Sequence, residues 1–380
     1  MATILITGGA GFIGSHTADR LLAEGHRVRI LDCLDPQIHG GTGEFPAYLH
    51  PAVEKIRGDV RNPADLNIAL DGVDAVYHFA ALTGVGQSMY DMKSYVDVNG
   101  TGTATLIEAI IKRRQKLKRF VLASSRAVYG EGSGACPAHG LVHPAPRRRL
   151  DLEAGRFGAL CPVCQAEVRS VPTPEDRPLS PISVYAWTKK QQEEYVRYAA
   201  ETFGLPGTIL RYFNVYGSRQ SLKNPYTGVV SIFYSRMKAH QPIALYEEGL
   251  PGRDFVHVSD VARANALALS AEVPPGTILN IGSGIESTIQ DVAEALAEAG
   301  NQKALLISTG EFRVGDIRSC HADISRARNL LEYEPKVSLK QGMAEFASWA
   351  GTEESVDLYQ KTVDELDRHG LFGRAMRRVS

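Results

Sequence analysis

The sequence predicts an α/β fold: a doubly wound parallel sheet with a smaller α/β lobe interleaved with it. Short β-rich runs alternate with helical segments through the first 212 residues, the rhythm of parallel strands joined by crossover helices. A glycine-rich loop stands between the first such run and the first helix, where folds of this class hold phosphate groups. The size agrees, since 380 residues of 44% hydrophobic composition bury a full core and leave material for a second lobe.

In chain order, the runs at 3–7, 27–32, 53–57, 75–79, 119–123 and 207–211 are short and β-rich, as parallel strands are. Between them, 13–24, 96–114 and 183–203 carry apolar residues at helical spacing and predict covering helices. From 131 to 181 the rhythm stops and Gly, Pro, Arg and Cys take over, which marks an insertion. After Asn214 the chain is loop-rich, then predicts a helix over 258–270, a strand over 278–281 and a helix over 289–299. Residues 1–212 with 256–285 are therefore assigned to the sheet domain, and 213–255 with 286–350 to the smaller lobe. Residues 351–380 form a helical, charged tail without motif content.

Composition excludes several partners. Lys plus Arg (42) and Asp plus Glu (43) cancel to a net charge of −1, so no basic field is present for nucleic acid or an anionic membrane. No basic leader precedes the first strand and no apolar run approaches the roughly 20 residues of a membrane span, so a cytoplasmic enzyme is expected. Five cysteines, an odd number, do not form a secreted disulfide framework.

The loop itself reads Thr7-Gly8-Gly9-Ala10-Gly11-Phe12-Ile13-Gly14. Glycine allows the tight turn and the close backbone approach by which the following helix N-terminus holds a pyrophosphate, so a Rossmann-type dinucleotide site is expected over Gly8, Gly11, Phe12, Ile13 and Gly14. Asp32 ends the second strand, where a carboxylate accepts ribose hydroxyls and repels a 2′-phosphate. Cys33 follows with no arginine beside it, which favours NAD over NADP. Asp59-Val60 and Phe79-Ala80-Ala81, after the third and fourth strands, are placed to edge the cofactor.

Tyr185-Ala186-Trp187-Thr188-Lys189 heads a helix, and a spacing of four puts Tyr185 and Lys189 on one face. A phenol has a reference pKa of about 10, and a neighbouring ammonium lowers it toward a useful base. Lys189 also reaches the nicotinamide ribose. The hydroxyl partner is expected at the end of the fifth strand, in Ser124-Ser125-Arg126-Ala127-Val128-Tyr129-Gly130.

With these residues in order, the chain resembles the extended short-chain dehydrogenase/reductase family, the NAD-dependent nucleotide-sugar epimerases and dehydratases. The resemblance runs through Gly8 to Gly14, Asp32, Asp59-Val60, His78 to Ala81, Asn99, Ser124 to Gly130, Tyr185 to Lys189 and Arg211 to Gly217, as far as about Ala350. It implies Ser125 as the catalytic hydroxyl, Ser124 as its cofactor-side neighbour, and Asn99 and Tyr212 at the cofactor. It also implies a nucleotide-diphosphate sugar bound by Asn214, Arg253, Arg313 and Asp316, with Thr83 to Ser88 lining the hexose pocket around Thr83, Ser125 and Tyr185. The 4,6-dehydratases carry an Asp-Glu pair directly after the catalytic residue, and Arg126-Ala127 stand there instead. A 4-epimerase needs no further acid or base: the keto sugar turns over and takes the same hydride back. Such enzymes pair through two helices per subunit, here 96–114 and 183–203, so a homodimer with a four-helix bundle is implied.

Within the insertion, Cys136-Pro137-Ala138-His139 and Cys161-Pro162-Val163-Cys164 offer three thiolates and one imidazole, enough for a closed tetrahedral zinc site in which all four ligands are protein and the metal is structural. His143 competes with His139 as the imidazole ligand, and free thiols or a redox Cys-x-x-Cys are the alternatives. The insertion, together with Asn224 to Phe233, looks most like that of the dTDP-L-rhamnose 4-epimerases. UDP-hexose 4-epimerases, 4-ketoreductases or decarboxylating oxidases, and an NAD-binding regulator are the competing readings.

Overall fold

A computed structural model describes residues 1–224, 226, 228–301 and 304–376. Pro225 and Thr227 of the 224–233 segment, and tail residues 377–380, lie outside the described residues. Seven strands form the central sheet: β1 (Thr3–Thr7), β2 (Arg27–Asp32), β3 (Glu54–Arg57), β4 (Ala75–His78), β5 (Arg119–Ser125), β6 (Gly207–Tyr212) and β7 (Thr277–Ile281), all parallel, in the order 3-2-1-4-5-6-7. The chain reverses direction across the sheet between β1 and β4, which opens a crevice at their carboxyl ends.

Alternation along the strands gives the sheet two apolar faces. Ile4, Ile6, Val28, Ile30, Tyr77 and Val121 point to one face, under α1 (Phe12–Ala23) and the helix Val258–Ser270. Leu5, Leu31, Val76, Phe120, Leu122 and Ile209 point to the other, under α2 (Gly102–Lys112) and α3 (Val184–Phe203). Helix Val258–Ser270 is α4. The expected 96–114 helix divides: Val96–Thr101 is a π-helical turn and α2 follows it. Such turns arise where a side chain needs a backbone shift to reach its partner, and Asn99 lies within this one.

The smaller lobe has its own core, in which Phe233, Tyr234, Met237, Val292, Leu296, Met343 and Phe346 join the helices Val229–Lys238, Ile289–Ala299 and Leu339–Thr352. Its strand Gly252–His257 pairs with Asn214–Tyr216, Glu286–Thr288 and Ser319–Cys320. The tail carries the helix the sequence predicts and adds a strand. Its helix Tyr359–Arg368 leads into a strand, Phe372–Arg374, which pairs antiparallel with Glu311–Arg313. The insertion folds as a three-stranded antiparallel sheet, Gly140–Val142 beside Ser133–Cys136 beside Arg169–Val171. Among the described residues, no helix is long and apolar enough to cross a membrane.

Candidate active site

Gly8 turns the chain out of β1 with φ +68°, and a Cβ there would lie 2.7 Å from the Ala80 nitrogen. A Cβ at Gly14 would lie 2.4 Å from the Gly8 carbonyl oxygen, so that glycine lets α1 close on the loop. Gly11 differs. Its φ is −73°, its Cβ would meet only the Gly8 oxygen at 3.3 Å, and no side chain caps α1 and no acid sits in its first turn. Protein packing constrains Gly11 much less than Gly8 or Gly14, whereas a phosphate resting on the open helix N-terminus accounts for a glycine here, so these residues fit a dinucleotide. Gly11→Ala is accordingly expected to leave the melting temperature within about 2 °C, a shift of a few tenths of a kcal/mol. NAD should bind roughly tenfold more weakly or worse, a loss of about 1.4 kcal/mol. Fluorescence titration of NAD and a thermal melt check both halves.

Asp32, 8% exposed at the end of β2, accepts from the amides of Ala10 (3.0 Å) and Leu34 (2.9 Å), with His39 Nε2 3.6 Å away. Asp59 is ion-paired with Arg61 at 2.5 Å, and that guanidinium holds its carboxyl below the usual range. The Phe79 amide donates to the Thr7 carbonyl (3.0 Å) and the Ala80 amide to Thr7 Oγ1 (3.3 Å), which fixes the loop through Ala81 against the glycine turn. His78 bridges Thr7 and Thr103 at 2.7 Å each, and burial pulls its pKa down to about 3, so it is a neutral tie within the core.

At the head of α3, Ser183 accepts the Ala186 amide at 3.1 Å, and the helix presents Tyr185 and Lys189 toward the end of β5. Lys189 donates to the Ala123 carbonyl at 2.8 Å, and its Nζ is 5.9 Å from the Tyr185 ring centre. Burial pushes the Tyr185 phenol up, while a hydrogen bond with the Ser125 hydroxyl and the charge of Arg126 pull it back. Burial likewise pulls Lys189 down to about 7, against the carboxylate of Glu193. The Tyr95 ring stands edge-on to Tyr185, and its hydroxyl donates to the carbonyls of Thr83 (2.5 Å) and Gly84 (3.0 Å), so one residue locates both the base and the 83–88 loop.

Four residues expected at the cofactor have side-chain partners within the chain. Val60 packs in the core beside Leu66 and Leu106. Asn99 is fully buried: its amide oxygen accepts from the Leu82 amide (2.8 Å), and its nitrogen donates to the Leu82 carbonyl (3.1 Å) and Thr188 Oγ1 (3.0 Å). Ser124 donates to Glu193 at 2.5 Å, and Tyr212 donates to Asn265 at 2.6 Å. In each case buried polar atoms find their partners inside the chain, as burial requires.

Glu193 itself escaped the sequence reading. It is 1% exposed, forms a two-pronged pair with the 2%-exposed Arg211 side chain (2.9 and 2.7 Å), and sits one helical turn beyond Lys189. That spacing was its only sequence signal.

Across the crevice, Arg253 donates to Asp316 Oδ1 (2.7 Å) and Arg313 to Asp316 Oδ2 (2.9 Å). Burial would raise the Asp316 pKa, but Arg313, Arg253, Arg147 and Arg126 hold it well below the carboxylate range. With both oxygens taken by guanidinium groups, Asp316 buckles two arginines together before it meets any ribose hydroxyl. Asn214 Oδ1 is buried without a partner among the described residues, and Thr83 is exposed at the rim. The tail closes this side: Tyr246 lies under Arg313 (5.6 Å) and donates or accepts a 2.7 Å bond with Tyr359.

In the insertion, the ligand atoms of Cys136, His139, Cys161 and Cys164 all lie within 4.8 Å of one another. Cys136 Sγ is 3.7 Å from Cys164 Sγ and 3.5 Å from His139 Nδ1, and Cys161 Sγ is 3.6 Å from His139 Nδ1. Tetrahedral zinc with bonds of about 2.3 Å to sulfur and about 2.0 Å to nitrogen has edges of about 3.8 and about 3.5 Å, whereas a disulfide needs about 2.05 Å. His143 lies elsewhere, with its Nδ1 accepting from Arg177 Nε at 3.2 Å.

Comparison with known proteins agrees with this geometry. The NAD dependent epimerase/dehydratase family matches residues 4–149 and 161–282. The dTDP-L-rhamnose 4-epimerase of Burkholderia thailandensis is 36% identical over 353 residues, covering 92% of this chain and 95% of that protein. A putative UDP-glucose 4-epimerase of Methanocaldococcus jannaschii is 32% identical over 349 residues, covering 91% and 97%. Among solved structures, UDP-glucuronic acid 4-epimerase from Bacillus cereus in complex with UDP-glucuronic acid and NAD superimposes with a TM-score of 0.74 at 29% identity, covering 92% of this chain and 99% of that one. The chain belongs to the NAD dependent epimerase/dehydratase family.

Proposed function

We propose that this protein is a nucleotide-sugar 4-epimerase that interconverts dTDP-L-rhamnose and dTDP-6-deoxy-L-talose. The observation that carries the reaction type is the acid–base inventory of the pocket. Arg126 and Ala127 follow Ser125, and the nearby carboxylates are occupied: Asp316 by two arginines, Glu131 by the amides of Arg318 and Ser319. Tyr185 is left as the proton-transfer group, which suffices for epimerisation and not for loss of water. Bound NAD supplies a hydride acceptor that returns the hydride to carbon 4. The glycine loop and the N-terminus of α1 hold its pyrophosphate, Asp32 its adenosine ribose, and Lys189 its nicotinamide ribose. Tyr185 takes the proton from the 4-hydroxyl and gives it back, Ser125 orients the reacting oxygen, and Arg253 with Arg313 pairs the diphosphate.

The 36% identity to the rhamnose epimerase supports the deoxysugar, and the Methanocaldococcus relative favours a UDP-hexose as the second reading. A panel of dTDP- and UDP-sugars, read by product separation, decides between them. The epimerase reading requires product without added cofactor and without net NADH; stoichiometric NADH would establish a reductase or oxidase instead.

Two further features belong to this reading. The Cys136, His139, Cys161 and Cys164 cluster holds a structural zinc, a reading supported by the 3.5, 3.7 and 3.6 Å separations of its ligand atoms. The protein is a cytoplasmic homodimer: α2 and α3 pack side by side, with Trp187 56% and Tyr198 61% exposed along α3, a face suited to a four-helix bundle.

A further inference from the structure

We propose that the zinc-bearing insertion is a strut that sets the substrate-binding arginines, and that Arg147 is the positioning residue through which it acts. This rests on the zinc reading above.

Apart from its three-stranded sheet and its polar ties to the rest of the chain, the insertion has little apolar core of its own around the Cys161 hairpin. Its buried cluster is Cys136, Val142 and Cys161 with Val168 packed against them, so two of the four members are candidate metal ligands. A core that small does not order a segment of this length, whereas a closed metal site does.

Arg147 carries that order across to the smaller lobe. Its side chain is 3% exposed. Nη1 donates to the Phe157 carbonyl (2.9 Å) and to Glu247 Oε2 (2.5 Å), and Nη2 donates to Glu247 Oε1 (3.0 Å) and to the Asp316 carbonyl (3.0 Å). Nε is 3.0 Å from Glu131 Oε1. Each of these partners leads to the site. Phe157 precedes the hairpin of Cys161 and Cys164, which is closed by the Leu160–Glu167 bridge and by the Cys161 amide on the Ala166 carbonyl (2.8 Å). Glu247 adjoins Tyr246, the ring beneath Arg313. Asp316 buckles Arg313 to Arg253. Glu131 holds the amides of Arg318 and Ser319, and the Gly132 amide holds the Ser319 carbonyl (2.7 Å). The segment bearing Arg313 and Asp316 is thus tied to the insertion at several points, with Arg147 at the crossing.

The partners of Arg147 are Phe157, Glu247, Asp316 and Glu131, and none of them is Ser125, Tyr185 or Lys189, so it acts on substrate capture. Without metal the Cys161 hairpin loosens, Phe157 no longer fixes Arg147, and the two substrate arginines lose their register. The chemical step, which depends on Tyr185, Lys189 and Ser125 on the sheet domain, is left largely intact.

The test uses full-length protein in four forms: wild type, the Cys161→Ser/Cys164→Ser pair, Arg147→Met and Arg147→Lys. Metal content, nucleotide-sugar KM, kcat, NAD affinity and melting temperature are measured for each. The metal-free pair and Arg147→Met are expected to raise KM roughly tenfold or more, the weight of a lost charge-assisted contact. Their kcat should stay within about threefold of wild type and their NAD affinity unchanged. Arg147→Met should keep its zinc, and Arg147→Lys should recover part of the KM. Wild type free of bound metal would overturn the zinc reading, while Arg147→Met would still report on the strut. An unchanged KM in Arg147→Met overturns the strut. So does an Arg147→Lys variant in which KM, kcat and NAD affinity all fail together, because that is the mark of general unfolding.

Discussion

Tyr185→Phe is expected to lower turnover by about 10²–10⁴-fold, the weight of a positioned general base, while NAD remains bound and the melting temperature is unchanged. Among the described residues the phenol oxygen has Ser125 as its hydrogen-bond partner, and the ring is held from the side by Tyr95. Phenylalanine therefore keeps the shape and loses only the proton carrier. Lys189 would still donate to the Ala123 carbonyl at 2.8 Å, so the cofactor side of the pair is untouched. The measurement is product formation from the preferred nucleotide sugar beside NAD titration of the same sample. A fully active Tyr185→Phe would remove the tyrosine from its assigned role, and a variant that no longer binds NAD would show that the ring, not the hydroxyl, is what matters.

The sheet was legible because its central strands are buried on both faces and largely apolar, while the edge strand β3 is exposed and charged; β1 and β2 match the sequence to the residue. β5 was read two residues short. Its last members, Ser124 and Ser125, are polar, yet their ladder with Arg211 and Tyr212 continues, so pairing overrides propensity there. The Cys/His cluster was legible because its members come as two local pairs. The competition between His139 and His143 was not, since only the folded loop shows His143 turned to Arg177. The tail's strand escaped because it pairs two three-residue segments, Glu311–Arg313 and Phe372–Arg374, far apart in sequence and too short to carry a period. The internal partners of Asn99, Ser124 and Tyr212 were not legible because each is long-range in sequence: Leu82 and Thr188, Glu193, and Asn265.

Glu193→Ala is expected to cost about 3–5 kcal/mol, because it leaves the Arg211 guanidinium buried and unpaired; urea denaturation measures the loss. Arg211 is 2% exposed, and its remaining bonds, to Tyr129 (2.9 Å) and the Glu175 carbonyl (3.0 Å), carry no opposing charge. That loss is a large part of an ordinary stability of about 5–15 kcal/mol. A paired replacement, Glu193→Leu with Arg211→Met, removes both charges and should regain most of the stability, as apolar substitutes for buried ion pairs do. It should not regain activity. Glu193 is the carboxylate that pulls the Lys189 pKa upward against burial, which already brings it to about 7. With that carboxylate gone, Lys189 loses its proton at a lower pH, and at neutrality Tyr185 faces a neutral amine that no longer favours its phenolate. Stability and catalysis then separate in one protein. If activity returned together with stability, Glu193 would be a structural partner of Arg211 alone, and the charge on Lys189 would have to be maintained by the cofactor or the substrate.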